Sequence, residues 1–259
     1  MARRHEGQRL ITDPWFSAVA IPALLPMGLS KSGFDAGFGA RAAPLRALAV
    51  PVPQAAAIML PRWLVMDGFA VKALFLQRAP ALIRLLLPAG LLGTVLGTLS
   101  FGVLAPEVVT GIVGALTLAF LAQRLLFRPR ADSTLPPKWL GIGLGIASGF
   151  TSFVAHAGSP PVSACVLPLR LAPITYTAAM ATFFAAINLS NWPPDAWFGL
   201  IDVRNITTSL VLVPLAPEAP VGVWVGVKRV PHIGPVPFYR GVHAGMFLTG
   251  AKLLWDGLK

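Results

Sequence analysis

The chain has 259 residues, of which 55% are hydrophobic and 12% charged, against about 25% charged in an ordinary soluble domain. That balance excludes a soluble globular fold and identifies an all-α polytopic membrane protein. The net charge of +11 does not point to nucleic acid, because the Lys and Arg residues gather at the ends of apolar runs and form no stripe interleaved with aromatic residues.

In chain order, residues 1–13 form a basic N-terminal segment with Arg3, Arg4 and Arg9, expected on the cytoplasmic side. Pro22 and Pro26 interrupt the apolar run that follows and no A-x-A-like cleavage site comes after it, so an uncleaved first span is expected. The uncharged windows are 14–30, 47–61, 85–106, 108–123, 139–169, 171–194, 205–217 and 241–251. A spanning helix needs about 20 apolar residues. The longer windows satisfy this alone, and the shorter ones borrow flanking Lys or Arg whose stems snorkel, which predicts about eight spans. Lys72, Arg78 and Arg84 precede the third window, and Arg124, Arg128, Arg130 and Lys138 flank the chain's midpoint; both groups are expected to be cytoplasmic. Trp15, Trp139, Trp192, Trp197 and Trp255 fall near window ends, where interfacial tryptophans anchor. The single cysteine, Cys165, excludes an internal disulfide and reads as a small core residue.

The polar stretch "RPRADSTLPPK" at 128–138 divides the chain into two repeats, 14–127 and 139–259. A shift of 121 positions places Gly28 on Gly149, Asp35 on His156, Gly37 on Gly158 and Asp67 on Asn188, while shifts of 128–129 bring "GTVLG" onto "GVWVG" and "QRLL" onto "AKLL". Four spans per repeat would leave both halves in the same orientation, related by an axis normal to the membrane, with both termini inside. Gly93 with Gly97, Gly141 with Gly145 and Gly149, and Gly222 with Gly226 are spaced for close helix approach.

The segment "GFTSFVAHAGSPPVSACVLP", 149–168, is free of Asp, Glu, Lys and Arg yet holds a histidine, hydroxyls and two adjacent prolines. Backbone broken at membrane depth is tolerated only where protein or a water-filled cavity satisfies it, so such a break marks a candidate site. Pro160 and Pro161 suit the first turn of a new half-helix with Ser159 as its cap, whose free N–H groups would face an anion near His156. The first half has a counterpart in "GLSKSGFDAGFG", where Lys31 sits between Ser30 and Ser32. The expected substrate-binding set is Ser30, Lys31, Ser32, Gln54, Thr151, Ser152, His156, Ser159 and Thr175. Asp35, His156, Asp67 and Asn188 are assigned to proton coupling or contact between the repeats. No metal cluster and no cofactor motif is read in the sequence.

These segments resemble the TauE/SafE family of sulfite exporters, a group of bacterial membrane anion permeases. The resemblance rests on "GLSKSGFDAGFG", "PVPQAAAIMLP" and "VMD" in the first half, "GFTSFVAHAGSPPVSACVLPL" and "YTAAMATFFAAIN" in the second, and "LTGAKLLWDGL" at the end. It implies a duplicated eight-span protein of the inner membrane, with broken helices at the repeat interface, that exports sulfite or a related sulfonate-type anion. Lys31, His156, Gly158, Pro160 and Pro161 match the family's motif residues. Arg41, Arg46 and Arg62 stand where similar proteins usually carry apolar residues.

The expected partners are a small anion and the lipid bilayer, with no nucleic acid; a homodimer is compatible with the sequence but not specified by it. Three other functions compete with export. Proton-coupled anion uptake would use His156 and Asp35. A membrane-embedded hydrolase would need Ser159 or Cys165 with His156, but no third orienting group accompanies them. A non-transporting scaffold would have no use for Lys31 or for paired broken helices.

Overall fold

The computed structural model describes residues 64–100, 103–127, 135–155, 157–198, 224, 228 and 230–258. They are helical throughout, with no strand among the described residues. In chain order the helices are α1 (64–74), α2 (Pro80–Leu99), α3 (Pro106–Phe127), α4 (Lys138–Ala155), α5 (Ser159–Val166), α6 (Pro173–Trp197) and α7 (Pro235–Gly257). Short 3-10 turns at Phe75–Gln77, Leu167–Leu169 and Val230–His232 join or precede them. Proline sets several starts: Pro80 and Pro173 occupy the first helical position, where a missing N–H costs nothing and φ is already helical.

Among the described residues, Pro80–Leu99 and Glu107–Leu126 are each 20 residues long and apolar enough to cross a membrane. At 1.5 Å per residue either spans about 30 Å, the thickness of the hydrocarbon core. Their exposed sides carry Leu92, Val95 and Leu99 on α2 and Ile112, Leu116 and Leu126 on α3. In water this would be an unusually large apolar surface; against acyl chains it is the required one.

Helices α2 and α4 run parallel and touch backbone to backbone. Gly93 faces Ile146 and Phe150, Gly97 faces Phe150 and Phe153, Gly145 faces Leu86 and Ala89, and Gly149 faces Gly90 and Thr94. The glycine spacing read from the sequence for Gly93, Gly97, Gly141, Gly145 and Gly149 lies in this interface, with Gly141 against Leu85. The main core fills the space between the remaining helices with Leu82 and Leu86 of α2, Val162 to Leu169, Tyr176 to Ile187 of α6, and Phe238, Val242 and Met246 of α7.

The contacts also fix directions. We call the side where α3 ends and α4 begins the linker face. Tyr176 near the start of α6 packs on Phe238 and Tyr239 near the start of α7, and Tyr239 donates a hydrogen bond to the Leu171 carbonyl at 2.6 Å. At the other side Phe198, just after α6, meets Phe153 of α4, and Ala157 clusters with Val109, Val113 and Leu253. Helix α4 therefore leaves the linker face, α5 with its 3-10 extension returns toward it, and α6 and α7 both leave it again.

Two expectations are corrected by these directions. The window 139–169 is not a single span, because Gly158 and the two prolines let the chain reverse inside it without any charged residue marking the turn. The last helices of the two halves are not co-oriented either. The 128-residue offset pairs α3 with α7, yet Gly111 lies against Gly257 and Gly114 against Gly250 and Leu254, so the two helices run antiparallel. The C-terminal end of α7 consequently lies opposite the linker, contrary to the expectation that the C-terminus would share its side. Lys72, Arg78, Arg84, Arg124, Lys138, Arg170, Lys228 and Arg240 all lie toward the linker-face ends of their elements; among the described basic residues only Lys252 lies at the far end, beside Asp256. Glu107 and Asp195 are at the far end too.

Candidate functional site

The break between α4 and α5 is held by side chains from the turns that precede it. The Ser148 hydroxyl donates to the Gly158 carbonyl at 2.6 Å. The Thr151 hydroxyl lies 2.7 Å from the Ala147 carbonyl and 3.1 Å from that of Ala157, and the Ala157 amide donates to the Thr151 carbonyl at 3.0 Å. Carbonyls freed by a break in low dielectric cost about 1–3 kcal/mol each if unmet, and here they are met from within the same helix. Thr151 has one proton, for which the Ala147 and Ala157 carbonyls compete, while its own carbonyl accepts from the Ala157 amide and so ties the loop to the helix; donating to a substrate would require giving up the hydroxyl's bond to backbone. The glycine at 158 follows from space, because a Cβ there would come within 2.7 Å of the Ser152 Cβ and 2.8 Å of the Ser148 carbonyl oxygen.

Helix α5 starts at Ser159, with Pro160 and Pro161 in its first turn, and its cap is Gly158 without a side-chain bond. The expected Ser159 cap is thus one residue late: the reversal needs the residue without a side chain at the junction, and Ser159 is already helical. Ser163 of α5 accepts a hydrogen bond from Tyr176 at 3.3 Å, which ties the returning segment to α6.

One turn of α6 beyond Phe184, whose ring faces Gly158, stands Asn188. Its Nδ2 donates to Oδ2 of Asp67 in α1 at 2.5 Å. Both residues are buried, Asp67 to 1% exposure and Asn188 to 7%. These are the two positions superposed by the 121-residue offset, and they touch. Two residues exchanged by a two-fold relation can meet only beside its axis, so this contact is where such an axis would pass.

Ser152 is buried in α4 beside the break. Thr175 lies in the first turn of α6, 13 residues before Asn188, hence about 20 Å from it along the helix; the fold does not bring Thr175 to Thr151 and Ser152. Ser30, Lys31, Ser32, Asp35, Gln54 and His156, as well as Arg41, Arg46 and Arg62, lie outside the described residues. Cys165 is enclosed in the main core at 1% exposure, a setting for packing and not for nucleophilic attack. Among the described residues no group of His, Cys, Asp and Glu could hold a metal ion.

Sequence reasoning missed several polar groups here. Ser148 carries the tightest bond of the break. Asn191 and Asp195 continue from Asn188 at spacings of three and seven, all buried, so an otherwise apolar α6 has one polar stripe. The Asn191 Oδ1, the Trp192 Nε1 and the Thr94 hydroxyl are buried without a hydrogen-bond partner. The 3–4 spacing of Asn188, Asn191 and Asp195 was a readable signal; the Ser148 bond, ten residues long and across a break, was not.

Residues 20–253 fit the family model described as "Sulfite exporter TauE/SafE". No curated protein and no solved structure matches the chain.

Proposed function

The chain belongs to the sulfite exporter TauE/SafE family, a family of membrane transporters, and from that premise we propose that it exports sulfite or a related sulfonate-type organic anion across the inner membrane. The observation that carries this reading is the family match, which covers nearly the whole chain. A broken helix with satisfied backbone and a buried polar pair one turn away agree with it, since transporter sites lie at such breaks near the midplane.

In this reading the linker face is cytoplasmic, because the described basic residues gather there. We take the repeats 14–127 and 139–259, joined by the linker 128–138, as inverted relative to each other, because α3 and α7, which the 128-residue offset pairs, run antiparallel. Their axis lies in the membrane plane and passes the Asp67–Asn188 contact. Rocking of one half against the other about that axis would expose the site to each side in turn. Lys31 with Ser30 and Ser32 attracts the anion, His156 binds it or relays a proton, and Ser152, Ser159 and Gln54 donate to its oxygens. Thr151 shapes the loop that carries His156. Each negative charge leaving a cell that is negative inside gains about 2.3 kcal/mol per 100 mV, so export needs no other energy source.

Proton-coupled uptake is the second reading, favoured by the buried Asp67 carboxylate on Asn188; protonation of Asp67, with Asp35 and His156, would then accompany the anion. Sulfite efflux from liposomes containing the purified protein tests the proposal. Efflux that falls at least tenfold in both Lys31→Ala and His156→Ala supports it. Absence of efflux for sulfite and for small sulfonates, from protein that elutes as a folded species, overturns it.

A further inference from the structure

A group of unmet oxygen atoms lies between α2 and α6, farther from the linker face than the Asn188–Asp67 pair. Two sets of contacts fix how these helices face each other. A Cβ on Gly90 of α2 would meet the Phe183 ring at 2.7 Å and Ile187 Cδ1 at 2.8 Å. Farther along α2, a Cβ on Gly97 would lie 3.2 Å from the Cβ of Phe153, whose ring centroid is 6.5 Å from that of Phe198 at the end of α6. The two helices therefore run the same way, and the segment of α6 from Asn188 to Asp195 lies alongside α2 between Gly90 and Gly97. Thr94 stands four residues after Gly90, and Asn191 four after Ile187. Each shares a helix face with the residue that makes the contact, so the two side chains face each other one turn beyond it.

Both are deeply buried, Thr94 to 3% exposure and Asn191 to 2%. Thr98, Thr117, Thr177 and Thr182 each donate to the carbonyl four residues back in their own helix. The Thr94 hydroxyl has no such bond, and the Asn191 Oδ1 has no donor. One turn along α6 from Asn191 is Asp195, buried to 6% exposure and without a hydrogen bond or ion pair to any described residue. Lys252, the one described basic residue at this end, is paired with Asp256, so no described cation balances Asp195. A carboxylate buried in this setting is costly unless its charge is met.

We propose that Thr94 Oγ1, Asn191 Oδ1 and the Asp195 carboxylate form a binding site for a monovalent alkali cation between α2 and α6. All three ligands are hard oxygens, the donors that such ions take in transporters. Two of them are neutral, so the set differs from the His, Cys, Asp and Glu clusters that hold transition metals, of which the described residues contain none. One carboxylate charge matches one monovalent ion, whereas a divalent ion would leave a net charge buried. A proton on Asp195 would supply one hydrogen bond and leave one of the other two oxygens unmet. A water would meet the oxygens and leave the charge. The other unmet atom on this stretch, Trp192 Nε1, only donates and stands outside the set. The inference concerns occupancy and not flux, so it does not rest on the transport reading.

The test is retention of radiolabelled Na+ by the purified full chain in micelles, at constant ionic strength, with choline chloride as the replacing salt. Saturable retention that unlabelled NaCl displaces, with affinity falling at least tenfold in Asp195→Asn and in Thr94→Val, supports the site. Both replacements keep the shape of the side chain. The unfolding midpoint gives a second readout: an ion that binds only the folded chain raises it, so NaCl should raise it where choline chloride does not, and neither variant should respond. Asp256→Asn, a carboxylate outside the site, should retain Na+ as the unaltered chain does. No retention by folded protein overturns the proposal, and a midpoint that then depends on pH through Asp195 assigns a proton instead. Retention undiminished in Asp195→Asn overturns it as well.

Discussion

Replacing Gly149 by Ala sets local propensity against packing, and the two predict opposite signs. In a helix interior Ala is favoured over Gly by about 0.5–1 kcal/mol, so helix propensity alone makes the variant more stable. A Cβ at 149, however, would come within 2.7 Å of the Gly90 carbonyl carbon and 3.0 Å of the Thr94 amide nitrogen, and closer still to the Gly90 carbonyl oxygen. Ordinary contact begins at 3.4 Å, and every atom met is backbone, so no rotamer relieves the clash. Relief of the nearest contact, that to the Gly90 carbonyl oxygen, requires helices α2 and α4 to separate by well over the shortfall at the carbon, loosening the whole parallel interface, and overpacking of this kind costs about 1–3 kcal/mol. Gly143→Ala on the same helix is the control, because a Cβ there meets nothing within 4 Å. Denaturant unfolding in micelles, followed by tryptophan fluorescence, should show Gly149→Ala destabilised by about 1–3 kcal/mol and Gly143→Ala unchanged or stabilised by up to about 1 kcal/mol. Equal behaviour of the two variants would refute the claim that backbone contact sets the spacing of α2 and α4.

Three further outcomes follow from other contacts. Asn188→Leu deprives the buried Asp67 of a donor and should destabilise the protein by about 1–2 kcal/mol, whereas Asp67→Asn keeps an acceptor and should cost less in the same unfolding assay; the reverse order would deny the contact its role. Ser148→Ala frees the Gly158 carbonyl and should cost about 1–2 kcal/mol while lowering sulfite efflux, and unchanged values in both would remove Ser148 from the support of the break. Cysteines placed at Lys138 and at Leu258 should be modified by an impermeant thiol reagent from opposite sides of sealed vesicles, with the buried Cys165 silent. Labelling from one side would contradict the antiparallel arrangement of α3 and α7.

How far the sequence carried the reading differs from element to element. The glycines at 93, 97, 141, 145 and 149 were legible because small residues at helical spacing have one dominant use in a bundle. The interruption at Gly158–Pro161 was legible because proline and glycine leave backbone groups that a membrane cannot satisfy. The reversal was hidden for the same reason the segment is apolar. Span counting relies on charged residues to mark each turn, and the return through α5 has none until Arg170. An uncounted pass changes the parity of the half and so inverts its expected orientation. The Asp67–Asn188 contact joins positions 121 residues apart; the repeat offset pairs them, but pairing in the alignment does not by itself say that the two touch.

The proposed outward movement of a sulfur oxyanion down the membrane potential can be read from the sulfite-dependent current across a membrane bearing the purified protein. It predicts a protein-dependent current that grows with an imposed potential negative on the linker side, carries negative charge away from that side, and is lost in Lys31→Ala. No sulfite-dependent current from folded protein, or sulfite flux indifferent to the potential, would contradict it.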